Sequence, residues 1–366
     1  MVTFGKTVNF SFAFTGNLYR ELLRYVRDEN FGYSPVALES LLGLARAGSV
    51  EETAQEIKTA LSFPLNPKEI ESVIKNIYPL LKSGKSFQFL AANRIYLQTH
   101  YSIRKDFKTL AETSYNIEVQ HYDAKKGRQT VNDWVKNATK GKIEAVLDDT
   151  DVETSAKCFL ISAVYFKLNF WKFAQKEALS RRVFTSMAQK PLEVEFMEKT
   201  GLYNYYESPE LKATYLEIPI ENNFDLVMIL PNGKDGLSAL ETTINDVFVE
   251  PKFSQTRVTV AVPKLNFEFK HDLKKVFQHL GMTRAFTNDA NMNGFLAEAR
   301  VLYINHVIHK SLFYFTDDST EQGIKATAPN KRVGSTSKTF IADHPFIFYV
   351  KSKNVIVYAG RVTDPT

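Results

Sequence analysis

Residues Cys158 to Phe166 read Cys-Phe-Leu-Ile-Ser-Ala-Val-Tyr-Phe, an apolar run broken only by Ser162. A strand with one wet face alternates apolar and polar side chains; an unbroken run belongs to a strand covered on both faces. Covering both faces needs a layer of structure on each side. Helical periods supply candidates. Phe14 to Val26 places Leu18, Leu22, Tyr25 and Val26 on one face, and after Ser34-Pro35 apolar residues recur from Val36 through Leu44. Glu51 to Leu61, Asn132 to Ala138 and Asp272 to Leu280 are further predicted helices. Strands dominate later. Phe224 to Leu230 ends at the turn Pro231-Asn232-Gly233, Val258 to Val262 follows, and Phe346 to Val350 with Val355 to Tyr358 flank Lys351-Ser352-Lys353-Asn354 as a hairpin. No linker, repeat or low-complexity block divides the chain, so the expectation is one mixed α+β domain over residues 1–366.

Composition narrows the function. With 44% hydrophobic residues a sizeable core can form, and a net charge of +5 is too mild for the dense basic face of a nucleic-acid binder. The one cysteine, Cys158, rules out an intrachain disulfide and reads as a core thiol within its apolar run. No stretch approaches the ~18 apolar residues of a membrane span. The opening Met-Val-Thr-Phe-Gly-Lys is not a signal peptide. The expected location is extracellular if a leader has been removed and cytoplasmic otherwise; Asn9-Phe10-Ser11 and Asn137-Ala138-Thr139 fit the glycosylation pattern and add a little weight to secretion.

Enzyme motifs fail. Gly84-Lys85-Ser86 looks like the end of a phosphate-binding loop, but position 79, where the first glycine should stand, is proline. There is no G-x-S-x-G, H-E-x-x-H or dinucleotide fingerprint, and the seven histidines are scattered. No metal cluster or cofactor motif stands out, and the chain reads as a non-enzyme. Arg20, Arg24 and Arg27 share one helix face, and Lys270, His271, Lys274 and Lys275 form a second basic cluster. Either is a candidate for a sulfated polysaccharide or an ordinary solvated face. Between Phe315 and Phe340 the periods collapse into Thr, Ser, Gly, Lys, Asn and Pro. A structureless stretch of this length inside a compact domain is usually functional or disordered.

The blocks around that stretch carry a resemblance. Phe340-Ile341-Ala342-Asp343-His344-Pro345-Phe346-Ile347-Phe348, followed by Gly360-Arg361-Val362 and Pro365, is similar to the C-terminal signature of the serpins. Upstream, His309-Lys310 precedes a strand and then Ser319-Thr320-Glu321, resembling the family's His-Lys strand and hinge. Ser34-Pro35 resembles the start of its second helix. Asn132-Asp133-Trp134-Val135 with Thr139-Lys140-Gly141-Lys142-Ile143 resembles its helix F region, and Val164-Tyr165-Phe166-Lys167 a central strand. Val262-Pro263-Lys264, Leu280-Gly281-Met282 and Ala290-Asn291-Met292-Asn293-Gly294 also match in order and spacing. The resemblance spans essentially the whole chain, and an arthropod member with an atypical hinge is the expected kind. It implies three β-sheets, eight to nine helices and an exposed reactive centre loop at about 317–341. The loop is bait for a target protease, and the protein acts as a monomer without a cofactor. Cleavage leaves the protease acylated to the loop, which inserts as a new central strand and drags the protease with it.

Such insertion makes demands on the loop. Family members that trap have a glycine, then Thr-Glu, then several alanines; here the hinge reads Ser319-Thr320-Glu321-Gln322-Gly323-Ile324-Lys325-Ala326, followed by Thr327-Ala328-Pro329. Period two from Thr320 turns Thr320, Gln322, Ile324 and Ala326 toward the core. An unpaired Gln322 amide there costs about 1–3 kcal/mol, and Pro329 lacks an N–H for the ladder. A barrier raised by ~3 kcal/mol slows insertion roughly 100-fold, enough for hydrolysis to win. The sheet-opening positions implied by the family are Ser34, Ala37, Ser162 and His309. Ala37 stands for a usual serine, Ser162 for an asparagine and Leu168 for a glycine, with Trp171 shifted by one residue. The expectation is altered gating on an intact fold. The scissile bond falls within Lys331-Arg332-Val333-Gly334-Ser335. Lys331-Arg332 or Arg332-Val333 suits a trypsin-like protease, and Val333-Gly334 a papain-like cysteine protease. The readings left open are inhibition, by trapping or by simple obstruction, and a non-inhibitory binder, carrier or chaperone.

Overall fold

The computed structural model describes residues 4–123, 127–149, 151, 156–169, 179–316, 337–353 and 355–366. In chain order the helices are α1 (Phe4–Leu22), α2 (Pro35–Ala47), α3 (Glu51–Ala60), α4 (Pro67–Ile77), α5 (Lys105–Leu110), α6 (Gly127–Ala138), α7 (Leu237–Glu241), α8 (Ile244–Val247) and α9 (Lys274–His279). The strands are β1 (Phe31–Tyr33), β2 (Phe87–Gln98), β3 (Glu118–Tyr122), β4 (Cys158–Asn169), β5 (Leu179–Thr185), β6 (Pro191–Ser208) and β7 (Ala213–Ile220). They continue as β8 (Phe224–Pro231), β9 (Ser254–Pro263), β10 (Leu265–Asp272), β11 (His306–Thr316), β12 (Lys338–Ile341), β13 (Phe346–Ser352) and β14 (Val355–Val362).

The unbroken apolar run is β4, the centre of a five-stranded sheet in the order β10-β11-β4-β2-β3. Alternate residues explain the run. Cys158, Leu160, Val164 and Phe166 enter the main core, while Phe159, Ile161, Ala163 and Tyr165 enter a second, smaller core on the opposite face. That second core is closed by Val131 and Val135 of α6 and by Ile143, Val146 and Leu147 of the segment after it. The main core fills the space between this sheet and the other one, with α1 and α2 among its walls.

The other sheet has nine strands, in the order β1-β14-β13-β8-β7-β6-β9-β12 with β5 also on β6. Two of the three expected sheets are therefore one hydrogen-bonded surface. The cause is β6, 18 residues long, which pairs with β5 along Pro191–Met197, β9 along Phe196–Tyr205 and β7 along Asn204–Ser208.

Local chemistry sets the helix starts. Ser34 caps α2, its Oγ accepting the Ala37 N–H at 3.3 Å, and Pro35 fills the first turn. Every residue from Pro35 to Arg46 is buried, so α2 is an interior helix rather than an amphipathic one. The helix expected from Asp272 starts at Lys274, because Asp272 ends β10 and its Oδ1 takes the Lys274 N–H at 3.1 Å. The first helix begins at Phe4, well before Phe14, and α6 at Gly127 rather than Asn132. His309-Lys310 lie inside β11, not ahead of its strand. In the C-terminal motif, a Cβ on Gly360 would sit 2.3 Å from the Phe31 carbonyl oxygen. The Arg361 side chain is buried and donates to Glu241 at 2.8 Å and to the Val26 carbonyl at 2.8 Å.

Candidate functional site

The hinge residues Ser319 to Ala326, the bait residues Lys331 to Ser335 and Trp171 lie outside the described residues. What is fixed is where the segment leaves and returns. It leaves from Thr316, the last residue of β11, inside the five-stranded sheet. It returns at Ser337 into β12, the edge strand of the nine-stranded sheet, which runs parallel to β9 with Lys338 opposite Val258.

β11 and β4 pair directly and in parallel, from His306 opposite Phe159 to Thr316 opposite Asn169. This closed parallel pair is the seam of the five-stranded sheet. Leu168 lies on it, opposite Phe315, and is buried.

The four residues expected at the sheet opening, Ser34, Ala37, Ser162 and His309, lie together beneath the seam. His309 is fully buried, and its Nε2 accepts the Ser34 backbone N–H at 3.3 Å. The ring proton therefore sits on Nδ1 and is donated to Ser162 Oγ at 3.0 Å. Burial without a counter-charge drives the imidazole down to about 3, so it is neutral at working pH. Ser34 Oγ donates to the Val357 carbonyl of β14 at 2.7 Å. The helix cap, the seam and the second sheet thus meet at one residue, the seam through its backbone N–H and the other two through its hydroxyl. Ala37 brings no side-chain polar group, but its carbonyl accepts from Asn93 Nδ2 at 2.9 Å, and the Tyr78 hydroxyl lies 3.3 Å from the same amide.

Sequence reasoning did not single out Asn93. In β2 it stands opposite Ser162, which stands opposite His309, which stands opposite His271 of β10. A row of polar residues crosses four strands. Its signal in the sequence is one polar residue within each strand, which has meaning only once the register is known.

The two basic clusters lie near each other: Tyr25, between Arg24 and Arg27, has its ring 5.2 Å from that of His271 and its hydroxyl 3.1 Å from His279 Nδ1 at the end of α9. Acids neutralise part of the charge. Buried Glu21 pairs with Arg24 at 2.7 Å and Arg20 at 3.7 Å, and Lys270 pairs with Asp148 at 2.6 Å and Asp151 at 2.5 Å. Arg27, Lys274 and Lys275 have no acid partner among the described residues. The surface is less basic than its sequence. Among the described residues no helix is long and apolar enough to cross a membrane.

Comparison with known proteins agrees with this geometry. The family model described as serpin (serine protease inhibitor) matches residues 9–365. The chain is 29% identical to serine protease inhibitor 42Dd of Drosophila melanogaster, over 95% of each chain. It is similar to the crystal structure of Serpin48, a highly specific serpin in the insect Tenebrio molitor, with 30% identity, a TM-score of 0.88 and full coverage of both chains. Uncleaved ovalbumin, 22% identical with a TM-score of 0.84 over 98% of this chain and 100% of that one, shares the fold. With the family model, the matched lengths and the seam geometry in agreement, the chain belongs to the serpin (serine protease inhibitor) family.

Proposed function

We propose that this serpin inhibits a protease through the segment from about Asp317 to Ile341, offered as bait and then inserted between β4 and β11. The observation that supports this most is the parallel β4–β11 pair from whose end the segment leaves. A chain that folds back after Thr316 runs antiparallel to both neighbours and can make a ladder on each of its edges. The cost is parting the seam by one strand spacing, ~4.8 Å. Lys331 and Arg332 suit a trypsin-like protease, and Val333 before Gly334 suits a papain-like cysteine protease.

Incubation with trypsin and with papain tests the reading on a denaturing gel. A band at the summed mass of serpin and protease is the expected result. Cleaved serpin alone, beside fully active protease, would overturn it. A second reading, a serpin that binds without trapping, is favoured by the Gln322-Gly323-Ile324-Lys325 block and Pro329. It expects the loop-nicked protein to melt at the same temperature as the intact one, whereas insertion raises the melting temperature.

A further inference from the structure

α6 and the segment after it lie across the seam and are attached on both sides of it. On the β2 side, the Trp134 ring of α6 has the Arg94 guanidinium 4.0 Å from its centroid. Arg94 also pairs with Glu118 of β3 and donates to the Tyr96 hydroxyl at 3.1 Å. The segment is held folded by Asn132, whose Oδ1 accepts from the Val146 and Leu147 N–H groups at 2.9 Å each and whose Nδ2 donates to the Leu147 carbonyl at 2.9 Å. Lys142 lies 5.6 Å from the Tyr165 ring of β4, and Ile143, Val146 and Leu147 share a core with Ile308 of β11.

On the far side the segment reaches β10. Lys270 Nζ donates to Asp148 Oδ2 at 2.6 Å and Asp151 Oδ2 at 2.5 Å, and Asp151 Oδ2 also takes the Asp148 N–H at 2.5 Å. Burial pulls the Lys270 ammonium down, but its bonds to the two carboxylates outweigh that and hold it above its ordinary value. The nearby charges are committed elsewhere: Lys310, opposite Lys270 in the register, pairs with Glu268 at 2.7 Å, and Asp149 pairs with Arg128 of α6.

The two attachments conflict with insertion. Parting β4 from β11 by ~4.8 Å carries β10 away from β2. A 2.6 Å contact stretched by that distance is no longer a hydrogen bond. We propose that Lys270, with Asp148 and Asp151, is a latch that sets how fast the seam opens, and so whether a bound protease is trapped or released after cutting the loop. This rests on the insertion reading above, and Lys270 is a positioning residue in it, remote from the bait.

The test uses the full chain and four variants: Lys270→Met, the double variant Asp148→Asn with Asp151→Asn, Lys270→Arg, and the exposed control Lys68→Met on α4. One readout is amide hydrogen exchange of β4 and β11, which needs neither protease nor insertion. The other is the number of serpin molecules consumed per trypsin trapped. The expected result is roughly fivefold faster exchange along the seam in Lys270→Met and in the double variant, the scale of a partly exposed ion pair. Lys270→Arg restores the slow exchange, and Lys68→Met does not change it. Fewer molecules are consumed per trypsin in the fast variants. Raised sodium chloride speeds seam exchange in the parent but not in Lys270→Met. The double variant carries the test if Lys270→Met does not fold. Seam exchange at the parent rate in either folded variant overturns the latch. Faster exchange with an unchanged ratio of consumed to trapping molecules overturns it as the control on trapping. Faster exchange with no trypsin complex from any protein upholds the latch and removes the inhibitor reading instead.

Discussion

Glu39 stands in the middle of α2, fully buried, and neither carboxylate oxygen has a hydrogen-bond partner among the described residues. Its polar neighbour is Ser11. Burial raises the carboxyl from 4.5 to about 8, against the opposing effect of the Ser11 hydroxyl. His309 shifts the other way, from 6.5 down to about 3, also by burial. The signs can be worked through. Above pH 4.5 the unfolded chain releases the Glu39 proton while the folded one keeps it, so stability falls as pH rises, by about 1.4 kcal/mol per unit up to about pH 8. Below pH 6.5 the unfolded chain protonates His309 while the folded one does not, so stability falls at a similar rate as pH drops toward about 3. From these two groups the expected profile is flat between 4.5 and 6.5 and falls on either side. Urea unfolding across this range checks it. Glu39→Gln is expected to abolish the alkaline fall and leave the acid one; an unchanged alkaline fall in that variant would place its cause elsewhere.

The seam between β4 and β11 is the element on which the reading turns, and it depends on small polar contacts. Ser162→Ala leaves the His309 Nδ1–H buried and unpaired, which is expected to cost about 1–3 kcal/mol. Ser34→Ala removes both the cap of α2 and the bond to the Val357 carbonyl, at about 1–2 kcal/mol. Denaturant midpoints measure both. The Ser162 hydroxyl meets the His309 ring, whereas Ser34 reaches that ring through its backbone N–H, which the alanine keeps, so the double variant is expected to cost about the sum of the two. These contacts also show how strands stayed hidden. β2 carries Asn93 and Arg94 at its middle, and β11 carries His309, Lys310 and Ser311. Neither reads as apolar alternation, because each of these polar residues has a partner elsewhere in the fold: Asn93 on α2, Arg94 on β3, His309 on β4, Lys310 on β10 and Ser311 on β1.

For the molecule as a whole, the question is whether the segment after Thr316 becomes a strand faster than the acyl bond is hydrolysed. Replacing Gln322-Gly323-Ile324-Lys325 by alanines removes the Gln322 amide that a central strand would turn toward the core. If those side chains supply a barrier of ~3 kcal/mol, insertion speeds up by roughly 100-fold and the gel shifts from cleaved serpin to protease complex. An unchanged ratio of the two bands would mean that the hinge is not what limits insertion. The latch at Lys270 acts on the same race from the sheet side, so combining its loss with the alanine hinge separates the two controls.

The sequence by itself determined that β4 is covered on both faces, that a helix follows Ser34-Pro35, that the C-terminal strands form a hairpin, and that an aperiodic segment interrupts the order before them. Each is written in contiguous residues, where period and turn chemistry act locally. Only the tertiary structure decided that β4 and β11 are direct parallel neighbours, that Asn93, Ser162, His309 and His271 form one row, and that Lys270 reaches Asp148 and Asp151. Those contacts join residues far apart in the chain. Strand register and the path of the segment after α6 bring them together, and neither leaves a mark in the local sequence.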